Sequence, residues 1–429
     1  MNRRSFLKGS VAGAATAAPL GAAASSARLP SDQLRVAVVG VRGRGRSHVK
    51  GFTESPDAVV TTLCDVDLNV VGRARKILEE AGAPKPKVVQ DIRRVLDDND
   101  IDIVSIATPD HWHALGAIWA CQAGKDVYVE KPVSHNITEG RRIVEAARKY
   151  DRVVQTGTQG RSSPAMREAI KFIHDGGIGK VYMAKGLCYK RRKSIGHTPD
   201  APVPEGVDYD LWLGPAPERP FSRNRFHYNW HWIWDYGTTD MGNQGVHQMD
   251  IARWGINKHE LPARIHGAGN KFVYDDDQET PNTQLTTFEY DDTLLVFEVR
   301  GLVTNDEKEV TVGNIFYGSD GYLTIGRGGW QAYLGEKGEP GPASSKDGPR
   351  VSHFQNFIDA VRSRNRSLLN ADILEGHLSS ALCHLGNISY RTGRKLTFDP
   401  AWENFPGDDE ANSYLTRRYR KPFVVPERV

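Results

Sequence analysis

Between Leu34 and Thr156, short β-branched runs alternate with stretches of helical character, and this alternation restricts the possible folds more than any other feature of the chain. Strands are expected over 34–39, 59–64, 101–107, 126–129 and 153–156, and helices over 91–97, 112–123 and 138–150. Strands separated by helices of this length cannot close as hairpins. Each returns by a right-handed crossover, which gives βαβ units and a doubly wound parallel sheet. Ligands of such sheets bind outside the carboxyl ends of the strands. The apolar run Asp126-Val127-Tyr128-Val129 empties at that edge into Glu130-Lys131-Pro132, which places an acid and a base where a ligand would lie.

After a helix over 166–174 the pattern changes. Strand-like runs at 181–189, 263–270, 282–290, 293–299, 309–317 and 321–326 are joined by turn signals such as Asp291-Asp292 and Gly318-Ser319-Asp320-Gly321. They predict a mostly antiparallel open sheet with helices, an α+β domain following the α/β one. An aromatic insertion, 208–234, separates its first two strands, and a helix over 243–255 follows that insertion. Late helices are expected over 351–363 and 372–392, set off by a Gly/Pro-rich loop at 335–348. A chain of 429 residues can bury two sizeable cores. The division expected is an export signal at 1–30, a dinucleotide-binding domain at 31–157 and a substrate and oligomerisation domain at 158–429.

The first thirty residues differ in kind. Asn2-Arg3-Arg4-Ser5-Phe6-Leu7-Lys8 precedes an uncharged Ala/Gly-rich run, and Ala22-Ala23-Ala24 offers a small-residue cleavage site. Paired arginines before a weakly apolar run look like a twin-arginine export signal, with a mature chain starting near Ser25 in the periplasm or outside the cell. No later segment reaches ~18 consecutive apolar residues, so the mature chain is not expected to span a membrane. The formal charge of +3 is spread out, and Lys190-Arg191-Arg192-Lys193 reads as a solvated loop, so nucleic acid is not an expected partner. Cys64, Cys121, Cys188 and Cys383 lack Cys-x-x-Cys spacing; neither a zinc site nor a disulfide framework is implied, and no metal is expected.

The segment 34–45 reads as strand, glycine turn and helix start. Glycines there let backbone approach a pyrophosphate whose charge meets the helix N-terminus. The spacing departs from Gly-x-Gly-x-x-Gly: Gly40 and Gly45 keep the first and third positions, Arg42 takes the second, and Gly43 follows it. Asp65 follows the second strand, 25 residues beyond Gly40. A carboxylate there accepts from adenosine ribose hydroxyls and repels a 2′-phosphate, favouring NAD over NADP. The alternative, a helix cap, stays open. Thr108-Pro109-Asp110-His111-Trp112-His113 closes the strand at 101–107. His113 either lines the cofactor or contacts backbone at a helix start.

A glycine-rich start, Glu130-Lys131-Pro132 and then Gly245-Val246-His247-Gln248-Met249-Asp250, in that order, resemble the Gfo/Idh/MocA family of nicotinamide-dependent sugar and polyol oxidoreductases. The resemblance runs from about Leu34 to the C-terminus. It implies that Lys131 is the base that takes the hydroxyl proton and that Glu130 orients the nicotinamide. It also implies a cis Lys131–Pro132 bond, a cofactor lined by Thr108, Pro109 and His113, and His247 as the imidazole of the proton relay. One departure matters: Asn243 stands where the family usually has Asp. An amide orients a substrate hydroxyl but takes up no proton, so the relay is incomplete unless Asp240 compensates from the same helical face.

The stretch 223–236 packs three Trp, two His, two Tyr and one Phe into fourteen residues. Aromatic faces bind the apolar faces of pyranose rings. A substrate wall is therefore expected from His227, Trp230 and Trp232, joined by Asp240 and by Arg161 after the strand at 153–156. A metal trio of His227, His231 and His247 is disfavoured, since no acidic ligand stands at fixed spacing. The expected function is an exported NAD-dependent oxidoreductase acting on a sugar or polyol hydroxyl. One alternative is a redox-neutral glycosidase that retains NAD and works through a 3-keto sugar. A further alternative is a non-catalytic periplasmic sugar-binding protein with a structural dinucleotide. A homo-oligomer, dimer or tetramer, is expected from the exposed sheet face this domain type carries.

Overall fold

A computed structural model describes residues 32–344 and 352–429. The export signal and the expected start near Ser25 lie outside the described residues.

The first sheet has six strands, β1 (Leu34–Val39), β2 (Ala58–Cys64), β3 (Lys87–Val89), β4 (Ile103–Ile106), β5 (Asp126–Val129) and β6 (Val154–Thr156), in the order β3-β2-β1-β4-β5-β6. Every neighbouring pair is parallel. The crossovers run through α1 (Arg44–Thr53), α2 (Val71–Glu80), α3 (Ile92–Leu96), α4 (Asp110–Gln122) and α5 (Ile137–Lys149). Side chains of a strand alternate between faces, so Val36 and Val38 join one apolar layer with Val49, Phe52 and Leu78. Ala37 and Val39 join the opposite layer with Leu115, Ile118 and Ile143. Both faces are therefore covered, which is why these strands read as continuous apolar runs. α5 starts where the Asn136 side chain accepts from Glu139 N, and it buries Ile143, Val144 and Ala147 on one side, as its amphipathic pattern predicts.

After α6 (Pro164–His174) come β7 (Val181–Cys188), α7 (Tyr209–Leu213), α8 (Thr239–Asn243) and α9 (Gly245–Gly255). The remaining strands are β8 (Arg264–Asn270), β9 (Thr283–Glu289), β10 (Leu294–Arg300), β11 (Val312–Gly318), β12 (Gly321–Gly326), β13 (Gly329–Leu334) and β14 (Glu339–Ala343), with β15 (Leu396–Thr397) near the C-terminus. They form a nine-stranded sheet, β14-β13-β12-β11-β7-β10-β9-β8-β15. Only β7 and β10 pair in parallel. Two late helices, α10 (His353–Ser363) and α11 (Ile373–Thr392), complete the described elements used below. α9 and α11 seal one face of this sheet, with Met249, Leu382 and Leu385 against Phe288, Phe297 and Phe316.

Several details differ from the sequence reading, and α2, β3 and β13 stand where it expected no element. The 335–348 loop contains β14, paired with β13. The helix expected over 243–255 is broken at Gln244 into α8 and α9. α10 leaves the second sheet and packs Phe357 and Ile358 into the first domain's core beside Val49 and Phe52. That choice of neighbour is tertiary: an amphipathic pattern names a buried face but not the surface that buries it. The four cysteines are buried free thiols, and no helix among the described residues is long and apolar enough to cross a membrane.

Candidate active site

The carboxyl edge of the first sheet opens into a cavity of about 480 Å³ lined by both domains. At one end β1 gives way to Gly40, whose φ of +81° and whose approach to Ala107, where a Cβ would stand 2.6 Å from the carbonyl oxygen, admit only glycine. Gly45 packs the opening of α1 onto this turn; a Cβ there would lie 1.7 Å from the Gly40 oxygen. Gly45 thus shapes the turn from behind, while Gly40 and Gly43 line the cavity. A Cβ at Gly43 would meet nothing within 4 Å, and α1 begins there with no side-chain cap. First-turn N–H groups without a side-chain partner suit a phosphate.

Asp65 follows β2. Its Oδ2 accepts from Val41 N at 2.8 Å and its Oδ1 from Asp67 N at 3.0 Å. Burial pushes its carboxyl up to about 6 against those two backbone hydrogen bonds. Each oxygen keeps a lone pair for a further donor, so loop capping and ribose binding are compatible. Thr108 Oγ1, also on the lining, is buried without a hydrogen-bond partner. The close-approach glycine, the uncapped helix start, the terminal carboxylate and an orphaned hydroxyl fit a dinucleotide. Asp65→Ala is expected to weaken NAD binding by roughly 1.5–3 kcal/mol and to relax discrimination against NADP. Fluorescence titration with both cofactors checks this, and unchanged affinity for both would reduce Asp65 to a loop cap.

At the other end stands the Glu-Lys-Pro turn, with Lys131–Pro132 cis. His113 pins it: Nδ1 faces Pro132 O at 2.6 Å and Nε2 faces Thr108 O at 2.9 Å. His113 therefore lines the cavity and also ties the turn to the Thr108–Pro109 turn that begins α4. Glu130 Oε1 accepts from Arg44 Nε at 2.7 Å, His48 Nε2 at 3.0 Å and Gln159 Nε2 at 3.2 Å. Burial alone would raise its carboxyl, yet the His48 hydrogen bond and the Arg44 charge hold it well below the ordinary carboxylate range. Since Glu130 only accepts, His48 carries its proton on Nε2, leaving Nδ1 to accept from Ser105 Oγ at 2.8 Å. Glu130 is thus a permanent anion that anchors Arg44 at the mouth of α1.

Lys131 Nζ donates to the Asn243 carbonyl at 2.5 Å. Burial lowers its ammonium against the opposing pull of Glu130 and Asp110. His247 lines the same space, and its ring has no hydrogen-bond partner among the described residues. Burial and then the Lys131 charge press it down to about 3. A neutral imidazole beside a lysine of lowered pKa is a pair able to exchange one proton with a bound hydroxyl.

Asn243 takes part differently from the expectation. Its Nδ2 donates to Asp240 Oδ1 at 3.2 Å, so the amide faces a carboxylate rather than the cavity centre, and its carbonyl holds Lys131. Asp240 in turn is bound by Arg192 through Nε at 2.8 Å and Nη2 at 2.6 Å. An Asp at 243 would face that carboxylate at like-charge distance, which explains the amide.

Several substrate-wall expectations are corrected. Asp240, committed to Arg192, stands behind the wall. Trp232 is buried beneath the Arg192 guanidinium, 5.1 Å from it, and is absent from the lining. Arg161 lies off the cavity altogether. It is 6% exposed and pairs with Asp250 at 2.9 Å and Glu375 at 2.9 Å, a structural tie between the domain's helices. His227 does line the cavity, but at the cofactor end, where Nε2 meets Asp67 Oδ2 at 3.0 Å. Trp230 is on the lining, backing His231, whose ring stacks on it at 3.6 Å.

His231 and Tyr228 are what the sequence reading missed as wall residues. His231 Nδ1 hydrogen bonds the Tyr228 carbonyl, and its ring is pressed to about 3 chiefly by burial. The aromatic run announced a wall, but nothing in its spacing told His231 from His227. His227, His231 and His247 all line the cavity, yet the described residues contain no group of three or more His, Cys, Asp or Glu able to hold a metal.

The segment after β7 also reaches the cofactor end. Leu68 N donates to Gly206 O at 3.0 Å and Asp208 N to Val66 O at 2.9 Å, while Gln90 Nε2 bridges Val66 O at 3.1 Å and Gly206 O at 3.2 Å. With the His227–Asp67 contact, these bonds fasten the second domain's insertion across the loop that carries Asp65.

Comparison with known proteins agrees with this architecture. Residues 34–158 match a family model described as an oxidoreductase family NAD-binding Rossmann fold, and residues 180–425 one described as an oxidoreductase family C-terminal alpha/beta domain. A glycosyl hydrolase family 109 protein of Saccharopolyspora erythraea is 32% identical over 160 residues, 36% of this chain and 35% of that one. The match thus spans about a third of the curated relative's length. The WlbA dehydrogenase of Bordetella pertussis, solved with NADH and UDP-GlcNAcA, superposes with a TM-score of 0.64 at 17% identity over 86% of this chain and 99% of its own. Levoglucosan dehydrogenase, solved with NADH, gives 0.66 at 15% identity over 85% and 99%. At such identities the likeness is one of fold.

Proposed function

We propose a reaction for this chain, which belongs to the Gfo/Idh/MocA oxidoreductase family and binds NAD: oxidation of a carbohydrate hydroxyl, with Lys131 as the proton acceptor. The observation that carries this reading is the convergence of Lys131 and His247 on one buried cavity that also holds the dinucleotide-binding turn. NAD bound there supplies a hydride acceptor for the carbinol carbon. Lys131 takes the hydroxyl proton, and the Asn243 carbonyl aims its Nζ. His247, neutral at working pH, hydrogen bonds the substrate oxygen. Trp230, His231 and Tyr228 offer a ring face and polar edges to a pyranose.

A second reading has its own support. The hydrogen bonds at the Gly206 carbonyl, Asp208 N and His227 close the second domain over the Asp65 end. A dinucleotide leaving by that end must first break them, which favours a resident cofactor reduced and reoxidised in one turnover. A transiently oxidised glycoside would lose its aglycone by elimination from the 3-keto sugar, and water would add across the double bond so formed before the carbonyl is reduced again. The glycosyl hydrolase family 109 relatives, matched over about a third of their length, point the same way. The proposed setting, outside the cytoplasm, rests on Arg3-Arg4 and the run after them.

Incubating the protein as purified with a panel of glycosides and free sugars tests both readings. Net NADH on addition of NAD is the result of an ordinary dehydrogenase. Aglycone release with protein-bound NAD surviving gel filtration and no net NADH is the result of the redox-neutral cycle. If neither occurs with any carbohydrate, the proposed chemistry is wrong and a binding role remains.

A further inference from the structure

Asp110, the first residue of α4, lines the catalytic cavity yet has no part in the reaction outlined above. Its side chain is buried, and Thr238 Oγ1 donates to Oδ2 at 2.6 Å. No cation stands within ion-pair distance of it among the described residues. The other carboxylates near Lys131 are already engaged, Glu130 by Arg44 and His48 and Asp240 by Arg192. Of the two carboxyls that act electrostatically on Lys131, Glu130 and Asp110, only Asp110 is uncompensated.

We propose that Asp110 is the positioning carboxyl that sets the charge state of Lys131, replacing from the first domain the carboxylate that Asn243 lacks. The proposal rests on the reading of Lys131 as the base. When the substrate hydroxyl gives its proton to Nζ, the ammonium that forms shares the cavity lining with the Asp110 carboxylate. In the redox-neutral cycle the same proton returns to oxygen when the carbonyl is reduced; in net oxidation it passes from Lys131 to solvent. The N-terminus of α4 favours an anion at this position. The groups that face Asp110 are Lys131, the Thr238 hydroxyl and Cys383 on α11, whose thiol burial pushes far up and so keeps neutral. Burial raises the Asp110 carboxyl to about 7, against the Thr238 hydrogen bond and the Lys131 charge. The Asp110 carboxyl therefore changes charge in the neutral range, while burial lowers the Lys131 ammonium from its ordinary value.

Competitive acetylation of Lys131 across pH, read by mass spectrometry on the NAD-loaded protein, gives the amine's titration without turnover. A carboxylate stabilises the ammonium, so Asp110→Asn is expected to lower the Lys131 midpoint by about one pH unit. The acid limb of kcat/KM should move down with it. An unmoved midpoint in a folded, NAD-loaded Asp110→Asn protein overturns the proposal. Asn387→Ala is the structural control: Asn387 Nδ2 supports Thr238 O at 3.0 Å without touching the carboxyl. It should leave the midpoint in place, and an equal shift would assign the effect to packing and overturn the proposal. If Asp110→Asn does not fold, the wild type decides. Two coupled groups titrate in two steps, so a single-step Lys131 curve overturns the coupling. Should Lys131→Met keep full turnover, the base reading fails, while the acetylation result still reports on the Asp110–Lys131 coupling.

Discussion

Lys131→Met is expected to cut turnover by ~10²–10⁴-fold, the usual contribution of a positioned general base, while the protein keeps its NAD. Methionine retains much of the lysine's bulk, so the Glu-Lys-Pro turn, held by His113 on Pro132 and Thr108, has no reason to open. What disappears is the nitrogen that Asn243 O aims into the cavity. Burial lowers this amine, so a neutral fraction is available to accept a proton. The effect should fall on kcat rather than on cofactor content, because no contact at the Gly40 and Asp65 end involves Nζ. Bound NAD is read by its absorbance after denaturation, and turnover with the best glycoside or sugar of the panel. Turnover within a few-fold of wild type would remove Lys131 from the chemistry.

The second large effect is structural and falls on the cofactor. Gly45→Ala would set a Cβ 1.7 Å from the Gly40 carbonyl oxygen. No side chain can move to make room, because the obstructing atom is backbone. Gly40 is itself tied down, its N–H donating to Cys64 O at 2.8 Å. The turn between β1 and α1 must therefore open, at a cost of about 3 kcal/mol or more. Since the turn is the phosphate-binding element, the same distortion should reduce NAD affinity by at least about 100-fold. Gly43→Ala is the informative contrast. Its Cβ meets nothing within 4 Å, so thermal stability should stay near wild type while NAD binding weakens through contact with the ligand alone. If Gly45→Ala melts with wild type and retains NAD, the turn does not bind the pyrophosphate as drawn.

Much of the site could be read from residues in order. Gly40, Asp65, Thr108 and Lys131 follow the strands of one parallel sheet, and a doubly wound sheet delivers all its strand ends to one edge. Their convergence follows from topology, so the cofactor end and the Glu-Lys-Pro turn were legible. Most helix and strand patterns in the second domain were legible for a different reason, because period and turn residues are local. β14 escaped because Glu339, Pro340 and Gly341 carry turn chemistry and pair only with β13, at the sheet edge. Proline is tolerated at such an edge.

Where each charged side chain points was not legible. Asp240, Arg161 and His227 share a chemistry suited to sugar hydroxyls, and each sits near a motif in sequence. Asp240 is held by Arg192, 48 residues away, Arg161 by Asp250 and Glu375, 89 and 214 residues away, and His227 by Asp67. A buried charge requires a partner, and that partner comes from whichever element the fold brings alongside. The local sequence therefore determined which residue types stand at the sheet edge and what chemistry they can perform. Tertiary packing alone decided which of those charges are left uncompensated inside the cavity, because the free energy of burying a charge depends on neighbours that sequence distance does not reveal.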